Sequence, residues 1–134
     1  MFRLIKIEAS GTNQPEPHSF KKEIGTKISA GTALCLSGGI VSSPNAEDAP
    51  TLISYAGAEE NAPEVLCYYV TPSMLFETTV NSSPSQLKVG DKVLMAEDSS
   101  GSCTLISTTK GGHTEIVDLM GAKQQGDRIT VKFN

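Results

Sequence analysis

Aromatic residues are scarce in this sequence of 134 residues, which contains no tryptophan, three tyrosines and four phenylalanines. Proteins that bind single-stranded nucleic acid stack bases on aromatic side chains, and the sequence offers few such platforms. Fifteen acidic residues outnumber eleven basic ones, giving a net charge of −4. Because a negative surface repels phosphate, we expect no nucleic-acid partner.

Long apolar runs are also missing. No segment approaches the roughly 20 apolar residues that a membrane-spanning helix needs, so we expect no membrane partner. Residues 1–8 carry charges throughout and do not resemble the apolar core of a signal peptide. The expectation is a protein that stays in the compartment where it is made.

The three cysteines form no closely spaced pair. Cys35, Cys67 and Cys103 are far apart, and each lies in an apolar run. A reactive thiol needs electropositive surroundings, which the sequence around these positions does not provide. We interpret them as small buried hydrophobic residues in a reducing cytoplasm.

The minimum parts of the common catalytic sites are missing as well. His18 and His113 are the only histidines, and we expect both to be exposed, one in a proline-rich segment and one at a hairpin tip. Adjacent acidic residues point apart on an extended chain, so the acidic pairs of the loops are poor metal chelates. Neither a phosphate-binding loop nor a nucleophile elbow occurs. The sequence therefore predicts a protein that is not an enzyme and holds no cofactor or metal.

What the sequence contains is a series of short β-type runs separated by turn residues, a pattern typical of β-sandwiches and barrels. Helix signals are confined to single turns at 72–75 and 120–125. We predict an all-β fold over residues 1–134, a single compact antiparallel β-barrel or β-sandwich of about ten short strands with at most one or two helical turns. The predicted strands cover residues 2–8, 19–24, 32–36, 40–43, 51–55, 64–70, 75–80, 92–96, 103–107, 114–118 and 128–133.

Three local patterns make sharper predictions. Residues 64–70 are apolar on both faces, which predicts a strand that is buried on both sides. The pair Gly38-Gly39 predicts a tight hairpin. Gly-Asp at 90–91 and at 126–127 precedes a β-branched strand start, which predicts turns where glycine takes a positive φ and the Asp side chain caps backbone N–H groups.

The segment 10–18 carries Pro15 and Pro17, which favour extended backbone. We interpret it as an arm that leaves the body, or as a binding or connecting loop.

Several segments of the sequence have a combined pattern of strands and turns. They are residues 31–34, 38–41 and 51–53, the run VLCYYVTPSMLFE at 65–77, LKVGDKV at 87–93, residues 115–118 and GDRITVKF at 126–133. Together these segments resemble the small decoration proteins (cement, or auxiliary capsid proteins) of tailed bacteriophages. The resemblance implies a non-enzymatic virion protein, made in the host cytoplasm, that binds the outer surface of an expanded capsid. It further implies that the protein bridges major capsid protein subunits, and that it acts alone or as a dimer or trimer.

The contact residues suggested by this resemblance lie near loops or prolines. They are Pro15, Pro17, Phe20, Met74 and Phe76. We expect adhesion through these apolar anchors, with an arm or edge strand extending a sheet of the capsid protein. For Phe20, Met74 and Phe76, the alternative interpretation is ordinary burial in the core.

Two other functions stay open at this point. A small β-barrel that binds a ligand or carbohydrate would use Tyr55, Tyr68 or Tyr69, although two of these tyrosines lie in the most apolar run. A small hydrolase would use His113 with Cys103.

Overall fold

The computed structural model describes residues 1–8 and 14–134, and these ranges contain eleven β-strands and no helix. The all-β prediction is confirmed. Within the described residues, no helix is long and apolar enough to span a membrane. The strands are β1 (Arg3–Ile7), β2 (His18–Lys21), β3 (Ala33–Ser37), β4 (Ile40–Ser42), β5 (Leu52–Ser54), β6 (Glu64–Tyr69), β7 (Met74–Thr79), β8 (Lys92–Glu97), β9 (Cys103–Lys110), β10 (Thr114–Asp118) and β11 (Arg128–Phe133).

Six strands form an antiparallel sheet in the order β1-β7-β11-β10-β8-β9. The sheet coils so far that its last strand approaches β7 again. Val80, which follows β7, forms a bridge with Ile106 of β9, and the Thr78 hydroxyl donates to the Thr104 carbonyl oxygen at 2.9 Å. The molecule has two hydrophobic cores, and the coiled sheet encloses most of the larger one.

The other five strands form a closed barrel in the order β2-β4-β3-β5-β6. The hairpin between β3 and β4 turns through Gly38 and Gly39, both at positive φ, as the sequence predicted. The barrel closes where β2 and β4 run parallel, with Lys21 opposite Ile40. The molecule therefore joins a closed barrel to a coiled sheet, and this one parallel pair departs from the purely antiparallel prediction.

The two cores share the barrel strands, because successive side chains of a strand point to opposite faces. Leu52 packs inside the barrel, whereas its neighbour Ile53 packs outward into the larger core, and both are fully buried. Cys67 and Tyr68 divide between the two cores in the same way. Because these strands separate the two cores, they need apolar residues at consecutive positions.

Strand β6 was predicted to be buried on both sides, but only some of its residues are buried. Cys67 and Tyr68 are buried, but Leu66 and Tyr69 are 42% and 50% exposed. Leu66 shares a face with Tyr68 but lies beyond the area that the coiled sheet covers. The alternation of the strand fixes which face each residue occupies, but not where the neighbouring sheet ends.

The two Gly-Asp turns form as predicted. Gly90 and Gly126 have φ values of 95° and 89°. The Asp91 carboxylate accepts the Lys88 N–H at 2.8 Å, and the Asp127 carboxylate accepts two N–H groups of the preceding turn. The two helical turns suggested by the sequence are hydrogen-bonded turns instead.

Candidate functional site

A groove of about 220 Å³ lies where the first strand meets the outside of the barrel. Its rim includes Met1, Leu4, Pro15 and Tyr55, and the buried Tyr68 contributes to its wall. The lining is mainly apolar, and no enclosed catalytic chamber is formed by these residues. We call this feature the Tyr55 groove.

Gly31 explains how the first strand and the barrel come together. The Phe2 N–H donates to the Gly31 carbonyl oxygen at 2.8 Å, and the Gly31 N–H donates to the Ser54 carbonyl oxygen at 2.9 Å. Gly31 has a φ of +77°, and a Cβ there would lie 2.6 Å from the Met1 Cβ. Only glycine allows the chain before β1 to rest on the barrel at this distance.

The Tyr55 groove opens onto a wider apolar surface. Met1 and Tyr55 are 55% and 53% exposed. The Tyr55 N–H donates to the Leu66 carbonyl oxygen at 2.8 Å, which places the exposed Leu66 next to the groove. Single exposed apolar residues are ordinary on a protein surface, whereas a contiguous group of them is typical of a contact site.

An ion cluster adjoins the groove. Arg3 of β1 and Arg128 of β11 each donate a guanidinium N–H to the same oxygen, Oε1 of Glu77 on β7, at 3.0 Å. The hydrogen bond from Arg3, together with the charges of both arginines, lowers the pKa of Glu77 although burial opposes this. The carboxylate therefore stays ionised, and the Arg3–Glu77–Arg128 cluster carries one net positive charge.

A second partly exposed apolar surface lies on the barrel, where three aromatic rings cluster. The Tyr69 ring lies 5.7 Å from the Phe20 ring in an edge-to-face arrangement, and 5.9 Å from the His18 ring. Phe20 also packs against the barrel core. Aromatic groups that are partly exposed are common both in protein interfaces and in sugar sites.

The cysteine and histidine of the hydrolase hypothesis do not assemble into a site. Burial, helped by the charges of Glu97 and Asp98, raises the pKa of Cys103 to about 12, so its thiol is protonated at neutral pH. Its sulfur contacts the Met95 sulfur at 3.7 Å, whereas the His113 Nδ1 is hydrogen-bonded to the Asn134 carbonyl oxygen at 2.7 Å. Burial likewise raises the pKa of Cys67 to about 11.

An open cleft of about 710 Å³ lies between the barrel and the C-terminal residues. Cys35 and His113 both line it, and the Cys35 sulfur lies 3.3 Å from the Ser42 hydroxyl. Within residues 1–8 and 14–134, no three His, Cys, Asp or Glu side chains are grouped so that they could hold a metal ion.

Comparison with solved structures found a similar fold in a phage protein. No family model matches the chain, and no curated protein matches it. Among solved structures, the chain is similar to the head fiber gp8.5 N base of bacteriophage phi29. The two are 16% identical with a TM-score of 0.53, and the match covers 89% of this chain and 95% of the other. At that identity the likeness establishes a shared fold over nearly the whole of both chains.

The residues predicted to contact a capsid fall in different places on this head-fiber-like fold. Pro15 lies on the rim of the Tyr55 groove, and Pro17 is exposed just before β2. Phe20 is half-buried beside Tyr69. Met74 and Phe76 instead lie in the larger core, because residues two apart on β7 share a face of the sheet, and this face packs into that core. Of the predicted arm, residues 10–13 lie outside the described residues.

The sequence indicated only part of the exposed apolar surface. It gave Tyr55 as a candidate binding residue but did not indicate Met1. Leu66 and Tyr69 were predicted to be buried with the rest of the apolar run at 64–70, and both are exposed. No signal in the sequence separates Tyr68 from Tyr69, since both lie in the same run. The difference arises from which face the coiled sheet covers, and that depends on residues distant in the sequence.

Proposed function

We propose that this chain is a non-enzymatic structural protein of a tailed-bacteriophage head. It binds the outer surface of the expanded capsid and stabilises the shell by bridging major capsid protein subunits. The observation that carries the proposal is the fold shared with a phage head fiber base over 89% of the chain. The resemblance of roughly residues 25–134 to phage decoration proteins agrees with it.

The Tyr55 groove is the surface that we propose to face the capsid. Interfaces are built around aromatic and aliphatic anchors that leave water on binding. Tyr55, Leu66 and Met1 provide such anchors on one surface, and their burial needs no change in the strands that hold them. Pro15, which we predicted as a contact, lies on the same rim.

Binding to many sites of one shell would give strong reinforcement from modest individual contacts. A copy that touches two neighbouring capsid subunits opposes their separation directly. Association of two or three copies on the capsid would add further contacts through the same principle. The partners under this proposal are therefore the major capsid protein and further copies of this chain.

A second candidate function is the base of a head fiber. The structural relative is described as the N base of a head fiber, so a base carrying a further segment is favoured by that likeness. Such a base would bind the shell but would not need to bridge subunits. The two functions therefore differ in their effect on the stability of the shell.

Both functions are tested by mixing the purified protein with expanded, DNA-free shells and with unexpanded shells of the phage that encodes it. We expect the protein to sediment with expanded shells and to raise the temperature at which they disassemble. Sedimentation without a gain in shell stability would favour the fiber base. Absence of the protein from the sedimented shells would contradict both.

The contact surface is tested with a pair of tyrosine variants. Tyr55→Ala removes an exposed anchor of the groove, whereas Tyr69→Ala removes a tyrosine of similar exposure on the barrel. We expect Tyr55→Ala to weaken binding to expanded shells by roughly thirtyfold, as for a central anchor, and Tyr69→Ala to change it little. The reverse result would place the contact at the aromatic cluster of the barrel.

A further inference from the structure

We propose that the Tyr55 groove and the Arg3–Glu77–Arg128 cluster together bind one extended protein segment that carries an acidic side chain beside an apolar one. The inference rests on the proposed function, since it assigns this segment to the major capsid protein. It adds the chemistry of the partner, which neither the fold nor the likeness to a head fiber base specifies.

The geometry supports a single continuous site. A second cavity of about 160 Å³ is lined by Met1, Arg3, Glu77 and Arg128. Met1 and Arg3 also line the Tyr55 groove, so the two cavities share a wall. A chain that places an apolar side chain in the groove therefore passes beside Arg3, which lines both cavities.

The charges of the cluster favour a carboxylate in the partner. Both arginines bind the same Glu77 oxygen, so each uses one of its five N–H donors in that contact. Their side chains are 55% and 69% exposed, whereas that of Glu77 is 11% exposed. The donors therefore face outward while the only acid lining the cavity is held inside, and a guanidinium binds carboxylates in a bidentate manner.

The rest of the molecule strengthens this selectivity. The net charge of −4 means that most of the surface repels an acidic segment, and the cluster is a local exception. The acidic side chain of such a partner is therefore held more favourably at the cluster than elsewhere on the surface. A phosphate-bearing polymer would meet the same small positive area but would have to lie along an acidic surface, which disfavours it.

The test uses three variants of the full chain and expanded shells as the binding partner. Arg128→Gln removes one donor group and should weaken binding roughly tenfold, the size expected for a lost charge-assisted hydrogen bond. Glu77→Gln removes the acid that competes for both arginines, and it should tighten binding severalfold even though it breaks two native ion pairs. Lys110→Gln is the matched control, because it removes one exposed positive charge that pairs with Asp91 elsewhere.

The proposal predicts that Arg128→Gln weakens binding and that Glu77→Gln tightens it. This difference distinguishes the proposal from a purely structural role of the cluster. If the cluster only stabilises the sheet, Arg128→Gln and Glu77→Gln should weaken binding alike, and that result would overturn the proposal. Equal effects of Arg128→Gln and Lys110→Gln would also overturn it, because they would indicate a general effect of charge. If the wild-type protein does not bind shells, the proposed function is wrong. If the wild-type protein binds shells and the variants bind with the same affinity, only the inference about the acidic segment is wrong. Thermal unfolding of each variant verifies that it is folded.

Discussion

Asp98 shows how a single side chain fixes a turn in this protein. It lies between β8 and β9, where its carboxylate accepts hydrogen bonds from the Ser100 N–H and hydroxyl, the Ser102 N–H and the Thr104 hydroxyl, at 2.6–3.1 Å. Burial alone would raise its pKa, but these four hydrogen bonds outweigh burial and lower it to about 2 from the ordinary 3.8. The ionised form is therefore the one that the folded turn stabilises.

The sign of this shift gives a prediction for pH dependence. A carboxylate with a lowered folded-state pKa contributes stability above its unfolded pKa and loses that contribution as the pH falls. For Asp98 the loss spans pH 3.8 to about 2. We expect Asp98→Asn to lower the free energy of unfolding at pH 7 by about 1–3 kcal/mol, and the difference from the wild type to shrink below pH 4. Urea unfolding from pH 2 to 7 measures this.

The control for that experiment is Glu47→Gln, which removes a negative charge from an exposed loop position. It should shift stability little at any pH. Parallel acid unfolding of the wild type and Asp98→Asn, with a constant difference between them, would contradict the account of Asp98.

At the scale of single residues, the sequence was informative where local chemistry decides the outcome. Gly90-Asp91 and Gly126-Asp127 form the capped turns that the sequence predicts. They do so because the Asp carboxylate reaches backbone N–H groups three or four positions earlier in the chain. Burial in β6 was less predictable. Tyr68 and Tyr69 have the same side chain and the same local surroundings, and a neighbouring sheet distant in the sequence decides which one is covered.

The connection between β9 and β10 is the most constrained element junction. These strands are neighbours in the sequence, but β8 lies between them in the sheet. The turn at 111–113 must therefore cross over the end of β8. A Cβ at Gly112 would lie 2.0 Å from the Val93 carbonyl oxygen and 2.9 Å from the Leu94 nitrogen. Backbone atoms of a paired strand cannot move aside, so the crossing requires glycine.

We therefore expect Gly112→Ala to destabilise the protein strongly, by roughly 3 kcal/mol or more, as for other severe steric conflicts. Gly101→Ala is the comparison variant: its φ is +83°, but nothing lies within 4 Å of the added carbon. That variant should cost about 1–2 kcal/mol from backbone strain alone. Chemical unfolding of both variants measures the difference, and equal losses would argue against the crossing as the cause.

The elements themselves were predicted more successfully than their pairing. All eleven strands overlap the segments that the sequence predicted as strands, and β10 and β11 have the predicted bounds. Neither the crossing of β9 to β10 nor the parallel pair of β2 and β4 leaves a mark in the sequence. Pairing depends on contacts between residues far apart along the chain, which an alternating pattern does not encode.

At the scale of the molecule, the candidate site exists only because the barrel and the coiled sheet are joined. Arg3 comes from β1, Glu77 from β7, Arg128 from β11 and Tyr55 from the end of β5. Pro15 alone among the predicted contacts lies on the groove, and the remaining members are separated by up to 127 positions, from Met1 to Arg128. The resemblance of short segments to phage decoration proteins predicted a contact function, whereas the place of contact required the fold.

We propose that this protein adheres to the outside of a phage head through the Tyr55 groove and the Arg3–Glu77–Arg128 cluster. Cryo-electron microscopy of expanded shells incubated with the protein is the decisive measurement. We expect regular density on the outer surface, with the groove and cluster facing the major capsid protein and each copy touching two subunits. Bare shells, or bound copies whose groove faces solvent, would contradict it.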